Sequence, residues 1–580
     1  MGEMRLRAFF LVFLGAVGNA FALPPCPELW RQAPHGPLAL PAPRRALSLD
    51  EVEDYDRIIE GQRTFERAET NGMGKGVIFR EQEEFLQTLD VAQVFEQVPR
   101  RFYDRVSGGR AQYDTYPSNL VDDYPSLRRD LMTPLLDTRE ITARQGAVRE
   151  LLENPEMREQ LLKWRGLNER FLTGDAQDSL SNFYGGALES LGKIKGARSP
   201  NEALHARNGL IYTVDHLAEL PNTFGELTQI FSRAQSQRFA QMQQKGLYFK
   251  NNLRLEGIIE ELGEAGYVAG KKAADYSMEE LEAFARIVDR AAAEPWLKGA
   301  QRFGEDAVRY SVLSDVAVAH GWRNFAEAVP AQGDDIFFRM EDAHNPRVLR
   351  EKGAAGSQPN DIALGGSEPR GMILTGANAR GKSTTERTAG QLMILSQMGL
   401  PVPAKGMKFT PMRMYVHKNP PDSPSQGLSQ FVTQAADLRR FVMSRVDADP
   451  RQLIILDEIL PGSMALVRTA AEKVFLKKLA AKKPLIVVAS HNWSQKADAG
   501  GAIVGTPRLA DEIPGAFKNV HVTPDFKLVD GAETDSSAMF VGAAEALRKA
   551  EWPRDWVQDF LETAGFSPEQ IRAYEAAHPY

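Results

Sequence analysis

Between positions 376 and 384 the chain reads Gly376-Ala377-Asn378-Ala379-Arg380-Gly381-Lys382-Ser383-Thr384, a glycine, four residues, then Gly-Lys-Ser-Thr. In this spacing a run of backbone N–H groups can turn inward around phosphate oxygens, and the N-terminal end of a following helix adds its partial positive charge. Lys382 would reach the β and γ phosphates of ATP, and the Ser383 hydroxyl would join the shell of Mg2+. Such a loop needs acids at the end of a neighbouring strand. The run Leu453-Ile454-Ile455-Leu456-Asp457-Glu458 supplies them. Asp457 would complete the metal shell with Ser383, and Glu458 would orient or deprotonate an attacking water. A third apolar run, Leu485 to Ala489, leads to His491, where a side chain could sense the γ-phosphate. Taken singly, a strand ending in Asp-Glu also reads as a solvated edge and a lone histidine as structural. Their order behind a phosphate loop favours the catalytic roles for Lys382, Glu458 and His491.

These residues need a sheet and helices to hold them. An apolar strand, Met372 to Thr375, precedes the loop, and a helix containing Leu392, Met393 and Leu395 follows it. From about Asp335 onward, short β-like runs (336–339, 372–375, 453–456, 485–489, 519–523) alternate with helical segments, the pattern of a mainly parallel sheet flanked by helices. Upstream, from about Ser48 to Pro330, apolar residues recur three and four apart. Within that stretch Ser277 and Glu280 form a capping box, and Leu281, Phe284, Ile287 and Val288 share one helix face. The expected fold class is multidomain: a long all-α region, then an α/β phosphate-loop domain. Its parts are a signal-like segment 1–22, a proline-rich linker 23–47, a helical region 48–130, a helical core 131–335, the α/β domain 336–545 and a helical tail 546–580. The tail restarts at Ser567-Pro568, a cap followed by proline at the first helical position.

The chain has 580 residues, a net charge of −7 and one cysteine, Cys26. The length allows several cores. The charge argues against a generically basic nucleic-acid binder, and a single cysteine excludes an internal disulfide framework and zinc sites built on paired cysteines. Beyond the N-terminal segment no stretch is long and apolar enough to span a membrane, so no span is expected in the mature chain.

The motifs together resemble the MutS family, the ATPases of DNA mismatch repair. The ATPase resemblance runs from about Asn360 to Val557. "GMILTGANARGKST" looks like the family's phosphate loop, including Asn378; "SQFVTQAADL" (429–438) is similar to the segment before the acidic strand; "LDEI" and "ASH" follow in order. "PLLDTREITARQGAVREL" (134–151) looks like the start of the family's helical core and lever, and "EDAHNPRVL" (341–349) resembles the strand entering the ATPase. A transporter-type ATPase shares the loop, the acids and the histidine, but the interval before the acidic strand has no paired glycines of an LSGGQ-like signature. The resemblance implies Mg-ATP hydrolysis coupled to movement of helical arms, a homodimer, and DNA as partner. Two departures stand out. Where the family has Gly-Arg-Gly-Thr-Ser reaching across the dimer, this chain has Leu460-Pro461-Gly462-Ser463-Met464. About 85 residues separate the linker from Met132, shorter than the ~100 residues of a usual separate module, and no counterpart of the mismatch-reading Phe-x-Glu domain is found there.

Between Glu226 and Glu256 no acid interrupts Arg233, Arg238, Lys245, Lys250 and Arg254, which interleave with Phe231, Phe239, Tyr248 and Phe249. Cations for phosphates and rings for stacking make this the candidate nucleic-acid surface; the alternative is a helix pair with aromatics in the core and solvated cations. A corresponding alternative for the whole chain is a nucleotide-binding conformational module with little turnover and a protein partner. At the N-terminus, Arg5 and Arg7, the apolar run Ala8 to Val17 and Ala20-Phe21-Ala22 have the order of a secretory signal. Export and an ATP site conflict, leaving localisation open between an exported and a cytoplasmic chain.

Overall fold

The computed structural model describes residues 92–95, 101–103, 111–113, 127, 130–131, 134–172, 180–333, 335–376, 381–417, 438–443, 446–447, 449–459, 465–490, 516–523, 525–530, 544, 554–563 and 566–577. Among the described residues of the first half, a four-residue helix, Ala92–Phe95, precedes eight longer ones: α1 (Thr138–Glu153), α2 (Pro155–Leu172), α3 (Leu180–Gly196), α4 (Pro200–Ile230), α5 (Gln237–Lys250), α6 (Leu253–Glu264), α7 (Met278–Ala292) and α8 (Pro295–His320). Their starts are written locally. The Asp137 carboxylate accepts from the N–H groups of Arg139 and Glu140 at 2.7 and 3.2 Å, satisfying two donors that the first turn of α1 leaves open. Ser199 caps α4 ahead of Pro200. Helix α7 opens with both halves of the Ser277–Glu280 box, and Leu281, Phe284, Ile287 and Val288 are buried along one stripe. No described helix is long and apolar enough to cross a membrane.

One element departs from the helical expectation for 48–130. Arg101–Tyr103 pairs antiparallel with Ala111–Tyr113. Phe102, Tyr103 and Tyr113 favour extended backbone, and Ser107-Gly108-Gly109 between the two runs is a turn sequence that a search for helical spacing passes over.

The second half alternates: β1 (Phe337–Ala343), α9 (Pro346–Gly356), β2 (Asn360–Gly365), β3 (Gly371–Thr375), α10 (Lys382–Gln397), β4 (Gly406–Phe409), β5 (Arg413–His417), β6 (Gln452–Asp457), α11 (Ala465–Ala480), β7 (Leu485–Ala489), β8 (Phe517–Val522) and β9 (Leu528–Asp530). Helices α12 (Arg554–Thr563) and α13 (Pro568–Ala577) follow, with Ser567 bonding the backbone of Gln570 as the expected cap. Six strands form one sheet in the order β5-β6-β7-β3-β8-β9, parallel throughout except at the β8–β9 edge. A four-stranded sheet of Glu327–Ala328, β4, β1 and β2 lies beside it in sequence.

Strand residues alternate between two apolar layers, as a period of two requires. Met372, Leu374, Leu453, Ile455 and Val487 join Leu392 and Leu395 of α10 in one. Ile373, Ile454, Leu456 and Val488 join Leu476 and Leu479 of α11 in the other. A sheet covered on both faces reads as unbroken apolar runs, which is why Met372 to Thr375 and Leu485 to Ala489 are so plain in the sequence. The first layer continues into the helical half, through Ile141, Val148 and Leu217, and Phe79–Tyr580 forms one compact unit.

Helix α10 is buried around most of its circumference, from Lys382 through Thr385, Glu386 and Gly390 to Gln397. Its far end docks on the helical half. Gln397 Nε2 donates to the carbonyl of Leu135 at 2.8 Å. Gly399, at φ 86°, passes so close to α1 that a Cβ there would stand 2.7 Å from Cβ of Arg144. Beneath that contact is a buried ion network. Asp130 Oδ2 accepts from Arg144 Nη1 at 3.0 Å and lies 2.6 Å from Arg309 Nε. Arg309 also pairs with Asp306, and Glu140 pairs with Arg238 of α5.

Candidate functional site

In open α/β sheets ligands bind outside the carboxyl ends of the parallel strands, where the loops can turn aside. Here β3 is central, between β7 and β8, and all five of its residues are buried. The chain leaves β3 at Gly376 and enters α10 at Gly381, whose φ of 89° is left-handed and suits glycine. Lys382 Nζ donates to the Gly376 carbonyl at 2.8 Å, so the loop closes on itself through its own cation. Ser383 Oγ donates to Asp457 Oδ1 at 3.3 Å across the gap between α10 and the end of β6. Asp457 stands in register with Ala489 of β7, and the next residue, Glu458, donates its N–H to the Ala489 carbonyl at 3.3 Å. Glu458 has φ 51°, a left-handed conformation that costs a residue with a β-carbon roughly 1–2 kcal/mol. Backbone strain of this kind gathers at functional turns.

Burial shapes the charges. It pushes the Asp457 carboxyl above the usual carboxylate range, against the hydrogen bond from Ser383. It pulls the Lys382 ammonium down, against the attraction of Glu458, Asp457 and Glu386. A desolvated cation beside two acids is set to receive an anionic chain that restores its environment. The hydroxyl and carboxylate oxygens of Ser383 and Asp457 suit Mg2+, a hard cation commonly held by one or two carboxylates together with substrate phosphates. Among the described residues no group of three or more histidines, cysteines or acids converges on a further cation site. Thr384 contributes its carbonyl to the first turn, accepting from Thr388 Oγ1 at 2.7 Å. Ala377, Asn378, Ala379, Arg380, His491 and the Leu460–Met464 segment lie outside the described residues.

Residues 372–497 match the family model for MutS domain V. Over these residues the chain carries a domain similar to domain V of the MutS family. Among curated MutS-family proteins, it is 28% identical over 246 residues to the endonuclease MutS2 of Thermomicrobium roseum, covering 42% of this chain and 29% of that protein. It is 25% identical over 202 residues to the DNA mismatch repair protein MutS of Desulforamulus reducens, covering 35% and 22%. It is 26% identical over 242 residues to the DNA mismatch repair protein Msh6 of Gallus gallus, covering 40% and 18%. The chain thus spans less than a third of the length of each of these MutS-family relatives.

The candidate nucleic-acid residues are divided between the core and the surface. Arg238 is buried against Glu140, so it serves the ion network and not a phosphate surface. Phe231 and Phe239 stack at 4.7 Å between centroids inside the core, and Phe249 packs with Phe224 and Phe303. Tyr248 is the exposed ring of the set, Arg233, Lys250 and Arg254 are exposed, and Lys245 is half-buried. Arg254 pairs with Glu294 at 2.8 Å.

Two residues of this MutS-like site escaped sequence reasoning. Phe526, in the turn between β8 and β9, is 48% exposed at φ 65°, and its Cδ1 lies 3.2 Å from where a Cβ on Gly381 would be. Asn360 holds that turn, donating Nδ2 to the Phe526 carbonyl at 2.9 Å and accepting from Leu528 N–H at 2.8 Å. A bulky residue with positive φ facing solvent is a flag in a structure; in sequence it was one aromatic after Thr-Pro-Asp. Glu386 is the second, an acid on a helix otherwise filled with buried residues. Its place in an apolar pattern was the available signal.

Proposed function

We propose that the chain is a MutS-like ATPase that binds and hydrolyses Mg-ATP and couples this to movement of its helical arms, with DNA as partner and a second copy of the chain in a dimer. The observation that carries the reading is the Ser383–Asp457 contact of 3.3 Å, beside Lys382, in a strand–loop–helix at the centre of a parallel sheet. In this reading Lys382 and the loop 376–384 bind the triphosphate, and Ser383 and Asp457 hold Mg2+, which would offset phosphate charge. Glu458 orients and deprotonates the attacking water, and His491 senses the γ-phosphate. Phe526 offers a flat apolar face beside the loop for the base. The same reading divides the chain into a helical core and lever, 131–335, an ATPase domain, 336–545, and a helical tail, 546–580. The test is steady-state ATPase activity. Lys382→Ala should lose nucleotide affinity or turnover, and Glu458→Gln should keep affinity and lose turnover; wild-type rates in both variants reject the proposal.

A second reading is favoured by the burial of Arg238, Phe231, Phe239 and Phe249. It makes the chain a nucleotide-held conformational module whose arms meet a protein. DNA affinity measured against salt separates the two, because phosphate contacts weaken as counterions compete. Micromolar or tighter binding with a steep salt slope, reduced by charge reversal at Arg233 and Lys250, supports DNA; salt-independent or absent binding supports the module. Export remains a proposal from the first 22 residues, tested by fractionation with N-terminal sequencing: a mature start near Leu23 in an exported fraction supports it, and an uncleaved cytoplasmic chain rejects it.

A further inference from the structure

Strand β1 ends at Ala343, and His344-Asn345 carries the chain on to Pro346 at the start of α9. Asn345 caps that helix with its side-chain oxygen. Oδ1 accepts from the N–H groups of Arg347 and Val348 at 3.1 and 3.0 Å, and Pro346 opens the first turn. A cap needs only that oxygen. Asn345 is nevertheless 7% exposed, and the other end of its amide is committed to α10. Nδ2 donates to Thr388 Oγ1 at 3.0 Å and to Gln391 Oε1 at 3.1 Å, and the Thr384 carbonyl lies 3.5 Å away. Thr384, Thr388 and Gln391 are spaced four and three apart, so they share one face of α10. The two cap bonds fix which end of the amide is oxygen and leave the nitrogen, with both its hydrogens, for that face. Just before it, His344 donates its N–H to the Pro403 carbonyl at 2.8 Å, in the segment that follows α10.

We infer that Asn345 is a positioning residue: its amide clamps the start of α9 to one face of α10 and so sets the roll of the helix that carries Lys382 and Ser383. Apolar contacts around α10 are non-directional, whereas a hydrogen bond weakens steeply as its angle changes. At the ~5–6 Å radius of a side-chain tip, a roll of about 10° moves an atom by about 1 Å. A shift of that size is enough to spoil the aim of a binding group. Ser383 meets Asp457 from one position on α10, and Asn345 grips Thr388 and Gln391 from another, so the two attachments together fix the rotation of the helix. What the clamp does to nucleotide binding rests on the ATPase reading; the clamp itself does not.

The experiment compares Asn345→Asp with Asn345→Ala in the full chain. Aspartate keeps an oxygen to cap α9 and has no amide N–H to give α10; alanine loses both. Without nucleotide, hydrogen exchange at the α10 amides 386–391 should speed up about fivefold or more in both variants relative to strands β3 and β7, while the α9 amides 349–351 speed up in Asn345→Ala only. Affinity for Mg-ADP should fall about tenfold in both, with kcat at saturating ATP within about threefold of wild type. Thr388→Val, which keeps the shape and removes the hydroxyl, should shift exchange and affinity about threefold in the same direction, and Thr388→Ser should behave as wild type. This pair carries the test if Asn345→Asp does not fold, and wild-type values in Thr388→Val then overturn the clamp. A plain cap predicts that Asn345→Asp equals wild type in α10 exchange and in Mg-ADP affinity, and that result overturns the clamp. So does a rise in exchange shared equally by α9, α10 and the strands. Exchange that responds as expected in a chain whose wild type binds no Mg-ADP upholds the clamp and rejects the ATPase reading instead.

Discussion

Charged residues meet different fates at the two ends of α10. At its N-terminal end Lys382, Asp457 and Glu458 converge at the carboxyl ends of interior strands, partly desolvated and joined to backbone and hydroxyl groups. Near its C-terminal end Arg144, Arg309 and Arg238 are matched by Asp130, Asp306 and Glu140, all of them closed off from water except the half-buried Asp306. The first arrangement keeps charge available to a ligand; the second spends it on holding α1, α5 and α8 together. Charge in a sequence therefore says little by itself. What separates the two ends is whether the spacing is local and strict, as in the phosphate loop, or merely a run of like residues, as between Glu226 and Glu256.

The largest effect expected from breaking this contrast is structural. Asp130→Ala would leave Arg144 and Arg309 buried without their shared acid, and removing one partner of a buried pair costs about 3–5 kcal/mol. Chemical denaturation should report a loss of that size with nucleotide affinity retained where the fold survives. Glu458→Gln is the reverse case. It should lower turnover about 10²–10⁴-fold, the range for a lost general base, while the melting temperature moves by no more than a few degrees. Comparable stability losses in the two variants would erase the distinction between the two ends.

A smaller effect concerns His417, buried at the end of β5 in register with Leu456. Burial pulls its imidazole from an ordinary 6.5 down to about 4. Between these values the unfolded chain binds a proton that the folded chain refuses, so stability falls as pH drops from about 6.5 towards 4 and is regained as pH rises. The slope for one such group approaches ~1.4 kcal/mol per pH unit. Melting curves of wild type and His417→Gln across that window should converge at acid pH; parallel curves would count against a neutral buried imidazole. The smallest effect belongs to the exposed pair Arg254–Glu294. Arg254→Gln should change stability by less than about 1 kcal/mol, and any loss of DNA affinity it causes should appear as a shallower salt dependence.

Much of the α/β half was legible because its signals are local. Leu485 to Ala489 is a strand over those same residues, and the runs 372–375 and 453–456 each lie within the observed β3 and β6. The Ser277–Glu280 box and the buried stripe of α7 were equally plain, each spanning a few residues of one helix. What stayed hidden depends on partners far away in the chain. Arg238 read as a candidate phosphate contact because its acid, Glu140, is 98 residues upstream. Phe526 comes beside Gly381 only once β8 lies next to β3. The ribbon at Arg101–Tyr103 was missed for another reason: three-residue strands are too short to show a period.

Helix α10 has one more property. Its 16 residues span about 24 Å, from the loop that closes on Gly376 to the Gln397–Leu135 bond. A tilt of one degree about the loop end would displace the far end by roughly 0.4 Å, comparable to the tolerance of close-packed side chains. Gly399 has no side chain to cushion such a motion against Arg144, so any tilt of α10 would press on α1 within a fraction of an ångström.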